Sequence, residues 1–329
     1  MKVGIIGCGA IGRKRALTLG DNELMITVDT SLERAKEVAQ LKNCSKVSTN
    51  FEDALNNKDI DLVIISTTNE FLAKITLTAV NAGKHVLVEK PAGRTPEELV
   101  PIIETAKKNN VFVKVGFNHR YHPALLKAKQ LVDSGAIGPL MFIRGRYGHG
   151  GRIGYEKEWR AVPEKSGGGE LIDQGVHLID LSRWFLGDLT VASGFAHTYY
   201  WNMPVDDNAF LMLKSSNDQI AWLHVSCTEW KNMFSFEIYG KTGKLHIEGL
   251  GGSYGVERLS LYKMLPQMGP PETTMWEYPF ADNSWNLELD EFIRSIEQHR
   301  EPQGNISDAK KALDIVRTVY DECNYRVKI

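Results

Sequence analysis

The amino-acid sequence predicts an α/β fold in two parts. An N-terminal doubly wound parallel sheet comes first, and a C-terminal α+β domain with a mainly antiparallel open sheet follows. Three observations carry this prediction. Through the first 118 residues, short Val- and Ile-rich runs alternate with helically spaced segments, the rhythm of a parallel sheet covered on both faces. A glycine-rich turn directly follows the first run. Beyond about residue 190, strand-like runs succeed one another without helices between them, which calls for antiparallel pairing.

The strand candidates of the first part are Val3–Ile6, Leu24–Val28, Leu62–Ile65, Val86–Val88 and a looser run, Val111–Val115. Between them, Leu32, Ala35, Val38 and Ala39 form one helical stripe. Ile75, Ala79 and Ala82 form another, closed by Gly83. Thr95-Pro96-Glu97-Glu98 reads as a helix start, with acids near the positive dipole end. In the second part, helices are expected over Pro123–Ser134 and from the Gly167–Gly169 run to Leu186. Lys241-Thr242-Gly243 separates two apolar runs as a hairpin turn does. Helices over Asn286–Gln298 and Ser307–Tyr325 close the chain. The length of 329 residues suits two domains, placed at 1–118 and 119–329.

Composition excludes several classes. Hydrophobic residues make up 43% and charged residues 24%, with a formal net charge of −2. Such a balance is that of a globular protein with no global field for nucleic acid. No run of about 18 apolar residues offers a membrane span. Cys8, Cys44, Cys227 and Cys323 are scattered and form no CxxC pair, as expected of free thiols in a reducing cytoplasm. No metal site is expected, although His119 and His122 are close in sequence.

Gly7-Cys8-Gly9-Ala10-Ile11-Gly12 matches G-x-G-x-x-G between a strand and a helix. The first glycine permits the tight turn, the second admits a pyrophosphate, and the third allows close helix–strand packing. A dinucleotide-binding Rossmann domain is the expectation. Asp29 ends the second strand, where a carboxylate accepts from ribose hydroxyls and repels a 2′-phosphate. That favours NAD. Arg13 and Arg34 lie near enough in sequence to offset the repulsion, so NADP stays open, as does a simple helix-capping role for Asp29.

Glu89-Lys90-Pro91 follows the strand at 85–88. The carboxyl ends of such strands line the ligand crevice, and an ammonium there stabilises a developing alkoxide. Position alone equally suits a surface lysine. Asp173 and His177 are four residues apart in an expected helix. That spacing puts them on one face, with the imidazole suited to moving a hydroxyl proton. An ordinary surface pair has the same spacing.

GIIGCGAIG at the start, VEKP at 88–91 and GGGELIDQGVHLID at 167–180 together resemble the Gfo/Idh/MocA family of glucose–fructose oxidoreductases and inositol dehydrogenases. The resemblance implies that Lys90, Asp173 and His177 form the catalytic and substrate-orienting set, and that Glu89 contacts the cofactor. It implies cofactor contacts for Ser66, Thr67 and Asn69, where Thr68 departs from the family's T-P-N segment. Gly116–Arg120 resembles GFNRR, with His119 replacing an arginine. This would bring Asn118 to the nicotinamide and Arg120 to the substrate. Trp159-Arg160 resembles the family's W-R pair, which reaches cofactor or substrate. The second domain would set specificity, with His149, Arg152, Tyr155 and Trp230 as candidates for a polyhydroxylated ring. Trp230 as core and 148–151 as plain loop are the competing readings.

The resemblance implies hydride transfer between NAD(P) and a hydroxyl or keto carbon of a sugar, sugar nucleotide or inositol. It also implies a homodimer or homotetramer. Two alternatives are an NAD-dependent glycosidase with transient oxidation and a non-catalytic dinucleotide-sensing regulator.

Overall fold

The computed structural model describes residues 1–325. The chain divides into two compact units. Unit 1 comprises Met1–Phe117, Glu164–Gly167 and Trp285–Asp314; unit 2 comprises Asn118–Pro163, Gly168–Ser284 and the chain from Ile315.

Unit 1 contains β1 (Lys2–Ile6), α1 (Ala10–Leu17), β2 (Glu23–Val28), α2 (Leu32–Gln40), β3 (Val47–Ser48), α3 (Glu52–Leu55), β4 (Leu62–Ile65), α4 (Asn69–Asn81), β5 (His85–Val88), α5 (Val100–Asn109) and β6 (Val113–Val115). The strand order is β3-β2-β1-β4-β5-β6, and every pair is parallel. Leu62, Val63, Ile64 and Ile65 are fully buried, which explains why their stretch reads as a continuous apolar run. The order reverses between β1 and β4, so the crevice for a ligand opens at the end of β1.

The two-residue β3 gave no apolar signal in the sequence. The Thr95–Glu98 start opens a 3-10 turn at Glu97–Leu99 before α5. Asn110 and Gly83 close α5 and α4 in left-handed conformations.

Unit 2 begins with α6 (Pro123–Asp133) and β7 (Leu140–Gly148). After the short α7 (Pro163–Ser166), which falls almost wholly in unit 1, the chain runs through a π-helical turn of unit 2, Leu171–Gly175, straight into α8 (Val176–Leu186). The remaining strands are β8 (Leu189–His197), β9 (Asn208–Ser215), β10 (Ile220–Ser226), β11 (Met233–Gly240), β12 (Gly243–Glu248), β13 (Glu257–Lys263) and β14 (Glu272–Tyr278). They join β7 in an eight-stranded sheet, β14-β13-β12-β11-β7-β10-β9-β8. All neighbours are antiparallel except β7 and β10, so the sheet is mainly antiparallel, as the strand succession predicts.

The strands alternate cleanly. On β9, Leu211 and Leu213 are buried, whereas Phe210 and Met212 are exposed. One face packs against α6 and α8. The other presents Phe195, Phe210, Met212 and Trp222 to the exterior of the chain. The chain closes with α9 (Ser284–Glu297) and α10 (Ile306–Glu322). Phe292 of α9 is fully buried in the unit 1 core with Leu19, Leu62 and Leu87, worth about 2–3 kcal/mol for one such side chain.

Candidate active site

In unit 1 the glycine turn is built as its spacing demands. Gly7 has φ +94°, and a Cβ there would lie 2.5 Å from the Ser66 carbonyl oxygen. A Cβ on Gly12 would fall 1.9 Å from the Gly7 oxygen. A Cβ on Gly9 would meet no protein atom within 4 Å, so the protein leaves that position open to the close approach a pyrophosphate makes in such turns. Gly9 caps α1, whose first N–H groups present positive potential to a pyrophosphate. The residues present therefore fit a dinucleotide.

Asp29 sits beside this turn. One carboxylate oxygen accepts from the Cys8 N–H at 2.8 Å; the other accepts from the Ser31 N–H at 2.8 Å and pairs with Arg34. Burial raises the Asp29 pKa, but these donors outweigh it and hold the carboxyl below its ordinary range. The Arg34 side chain is 54% exposed. Burial and the Asp29 charge push the Cys8 thiol up to about 12, which makes it an inert filler.

The remaining cofactor candidates of unit 1 are tied into the protein. Ser66 Oγ donates to the Gly7 carbonyl at 2.7 Å, and Thr67 donates to the Thr68 carbonyl at 3.2 Å. Asn69 is buried, with its amide on the Ser166 carbonyl at 2.8 Å. Glu89 accepts from Arg15 Nε at 2.7 Å, and Arg15 also pairs with Glu288 of α9 at 2.7 Å. Arg15 lies over the Trp285 ring and is 1% exposed. The side chain beside Lys90 is thus clamped through α1 to a helix nearly two hundred residues away in sequence. Sequence reasoning missed this clamp, because nothing local announces it. Lys90 follows at the end of β5, half-buried.

Unit 2 gathers a second set. His177, on the first turn of α8, is 4% exposed, and its ring stacks on His119 at 3.8 Å. Tyr147 meets both rings edge-on, at 5.2 Å from His119 and 6.2 Å from His177. Burial, with the nearby Tyr254, Asp173 and Glu170, holds the Tyr147 hydroxyl well above its usual pKa, so it remains a neutral donor.

Asp173 lies in the π turn and accepts from Arg160 Nε at 3.0 Å. The regular α-helical face inferred from the i,i+4 spacing is therefore replaced by a wider turn, a feature frequent at functional sites. Arg160 stacks over Trp159 at 4.7 Å. Asp206 anchors the π turn: fully buried, it accepts from Gly169 N–H, Leu171 N–H and the Tyr320 hydroxyl at 2.9, 2.8 and 2.6 Å.

Beside this pair stands Glu170, 1% exposed, which no sequence signal singled out. Its Oε1 accepts from the Tyr155 hydroxyl at 3.1 Å and faces His149 Nε2 at 3.4 Å. Burial lowers the His149 pKa, but Glu170 and Asp173 overcome it and raise the value above the ordinary histidine range.

Three further candidates make pairs within unit 2. Arg120 is bound by both oxygens of Asp180 on α8, at 2.8 and 2.6 Å. Asn118 donates to Ser284 Oγ at 3.0 Å. Arg152 is 72% exposed at its side chain and pairs with Glu158. Trp230 is 65% exposed and so is not core. His122 pairs with Glu257 at 2.9 Å. Among the described residues no group of three or more His, Cys, Asp or Glu is arranged to hold a metal, and no helix is long and apolar enough to cross a membrane.

A doubly wound sheet with a pyrophosphate turn, joined to a domain that buries an imidazole among donors and acids, defines a dinucleotide-dependent oxidoreductase. Comparison with known proteins agrees. The profile of the oxidoreductase family with an NAD-binding Rossmann fold matches residues 1–117, and that of the GFO/IDH/MocA C-terminal domain matches residues 125–246. The chain belongs to the Gfo/Idh/MocA family of NAD(P)-dependent oxidoreductases.

Levoglucosan dehydrogenase of Pseudarthrobacter phenanthrenivorans is 25% identical over 283 residues, 74% of this chain and 73% of that protein. Inositol 2-dehydrogenase of Salmonella typhimurium is 30% identical over 194 residues, 57% of this chain and 55% of that one. A solved levoglucosan dehydrogenase in complex with NADH and levoglucosan shares the fold, with TM-score 0.89 and 22% identity over 98% of this chain and 97% of that one.

Proposed function

We propose that the protein transfers a hydride between a nicotinamide and a hydroxyl- or keto-bearing carbon of a polyhydroxylated ring: a sugar, a sugar nucleotide or an inositol. The observation that carries this reading is the buried His177, stacked on His119 and beside Tyr147, whose hydroxyl in turn feels Asp173 and Glu170. A buried imidazole held between the His119 and Tyr147 rings suits proton exchange with a ring hydroxyl. The relatives named for levoglucosan and inositol support it.

In this reading His177 takes the hydroxyl proton, and the Lys90 ammonium stabilises the oxyanion that forms. The Asp173–Arg160 pair and His149 orient the neighbouring hydroxyls. When bound, the dinucleotide supplies the hydride acceptor at its nicotinamide. Asp29 favours NAD, with Arg34 as the group that admits NADP. The apolar face of Phe195, Phe210, Met212 and Trp222 supports assembly into a homodimer or homotetramer, since such a patch is costly in water. Four free cysteines suit a reducing compartment such as the cytoplasm.

A panel of sugars, inositols and nucleotide sugars, offered with NAD or NADP and followed at 340 nm, tests the reading. Turnover of at least one ring substrate is expected. Inertness toward the whole panel, with NAD still bound, sinks it.

A further inference from the structure

Resting on that reading, a second feature of unit 2 narrows the substrate. Tyr200 and Trp230 are 59% and 65% exposed, and their rings meet edge-to-face at 4.7 Å with planes 87° apart. They form a corner with two perpendicular aromatic walls.

The corner is held rigidly. Asp207, fully buried, accepts from the backbone N–H groups of Tyr199, Tyr200 and Trp201 at 2.8, 2.7 and 3.0 Å. Trp201 Nε1 donates to the Cys227 carbonyl at 2.9 Å. Trp230 sits at φ +56°, a left-handed conformation that a bulky residue rarely adopts. Strain of this kind persists where surrounding structure over-determines it, and it clusters at ligand sites.

The corner also adjoins the candidate site. A Cβ on Gly150 would lie 3.0 Å from the Trp230 Cα, and one on Gly151 would lie 2.4 Å from the Trp201 ring. The Glu229 N–H donates to the His149 carbonyl at 3.1 Å. His149, Tyr155, Trp201, Tyr200 and Trp230 thus form a continuous ladder of rings, with successive centroids 4.7 to 5.6 Å apart. At its inner end is Glu170; at its outer end is open aromatic surface.

We propose that the Tyr200–Trp230 corner is a second-ring subsite, and that the substrate is a glycoside whose aglycone is a second pyranose or an aryl ring stacked there. Rigid aromatic faces bind the apolar side of such rings with little loss of conformational entropy. The neighbouring arginines are engaged, Arg152 by Glu158 at 2.7 Å and Arg146 by Glu229 at 3.7 Å.

The test measures binding of D-glucose, cellobiose, 4-nitrophenyl β-D-glucopyranoside and UDP-glucose to the NAD-loaded protein by titration calorimetry. Cellobiose and the nitrophenyl glucoside are expected to bind about tenfold tighter than glucose. Trp230→Ala and Tyr200→Ala are expected to erase that ratio, while Tyr199→Ala, an exposed neighbour off the corner, keeps it. A ratio near one in the wild type, or one that survives Trp230→Ala, overturns the subsite and leaves the sugar reading standing. Tightest binding by UDP-glucose, dependent on Trp230, assigns the corner to a base and overturns it too. Failure of all four to bind overturns this subsite and leaves the ring-oxidation reading to the wider panel.

Discussion

The imidazoles of His119 and His177 stack with centroids 3.8 Å apart and planes 20° from parallel. His119 stands where the resembling segment carries an arginine, so this chain braces its candidate acid–base ring with a flat aromatic partner. His119→Phe preserves a stacking face, whereas His119→Ala opens a gap beside His177. Steady-state kinetics on the substrate found by the panel should show turnover within a few-fold of wild type for the first variant. A loss of about tenfold is expected for the second.

Lys90→Ala and His177→Ala remove the two groups assigned to the reacting oxygen. Each is expected to lower kcat by about 10²-fold or more with NAD affinity retained. A near-normal rate in either variant takes that residue out of the mechanism.

Asp29 accepts from the Cys8 N–H and is the residue proposed to receive the ribose hydroxyls. Asp29→Ala frees Arg34 and removes the charge that repels a 2′-phosphate. Fluorescence titration with NADH and NADPH should show NADH binding weakened by about tenfold and NADPH binding strengthened. Unchanged preference for NADH would mean that Asp29 serves the turn alone.

Asp206 satisfies two backbone N–H groups and the Tyr320 hydroxyl at the start of the segment bearing Asp173 and His177. Asp206→Ala removes the acceptor that these buried donors share, leaving the Gly169 N–H only the Tyr320 oxygen at 3.3 Å, at a cost of about 3 kcal/mol. A urea unfolding curve measures it, and kcat should fall as well, because the π turn loses its anchor.

Acid should weaken unit 1 through Glu291. Burial raises its pKa, but Lys114, Arg300 and Ser295 outweigh this and bring it down from 4.5 to about 2. A depressed carboxyl pKa contributes stability that is fully present above pH 4.5 and is lost as pH falls toward 2. The contribution is on the order of 3 kcal/mol. The gap in urea midpoint between wild type and Glu291→Gln should therefore be wide at pH 7 and narrower at pH 3. A gap independent of pH would refute the assignment.

The amino-acid sequence by itself determined whatever depends on neighbours along the chain. Gly7, Gly9 and Gly12 declare their turn because a tight bend, a close approach and a packed crossing each exclude a Cβ within six residues. The apolar runs of β1, β4 and β5 declare a buried parallel sheet for the same local reason. The succession of strands after residue 190 declares antiparallel pairing. Tertiary structure alone decided the rest. It tied Glu89 to Arg15 and Glu288, set Glu170 against Tyr155 and His149, turned Arg120 to Asp180, and left Trp230 exposed at a left-handed backbone. A carboxylate carries no mark of which distant cation will meet it. Such pairings exist only once the chain has returned on itself, and burial then makes them too costly to leave unmade.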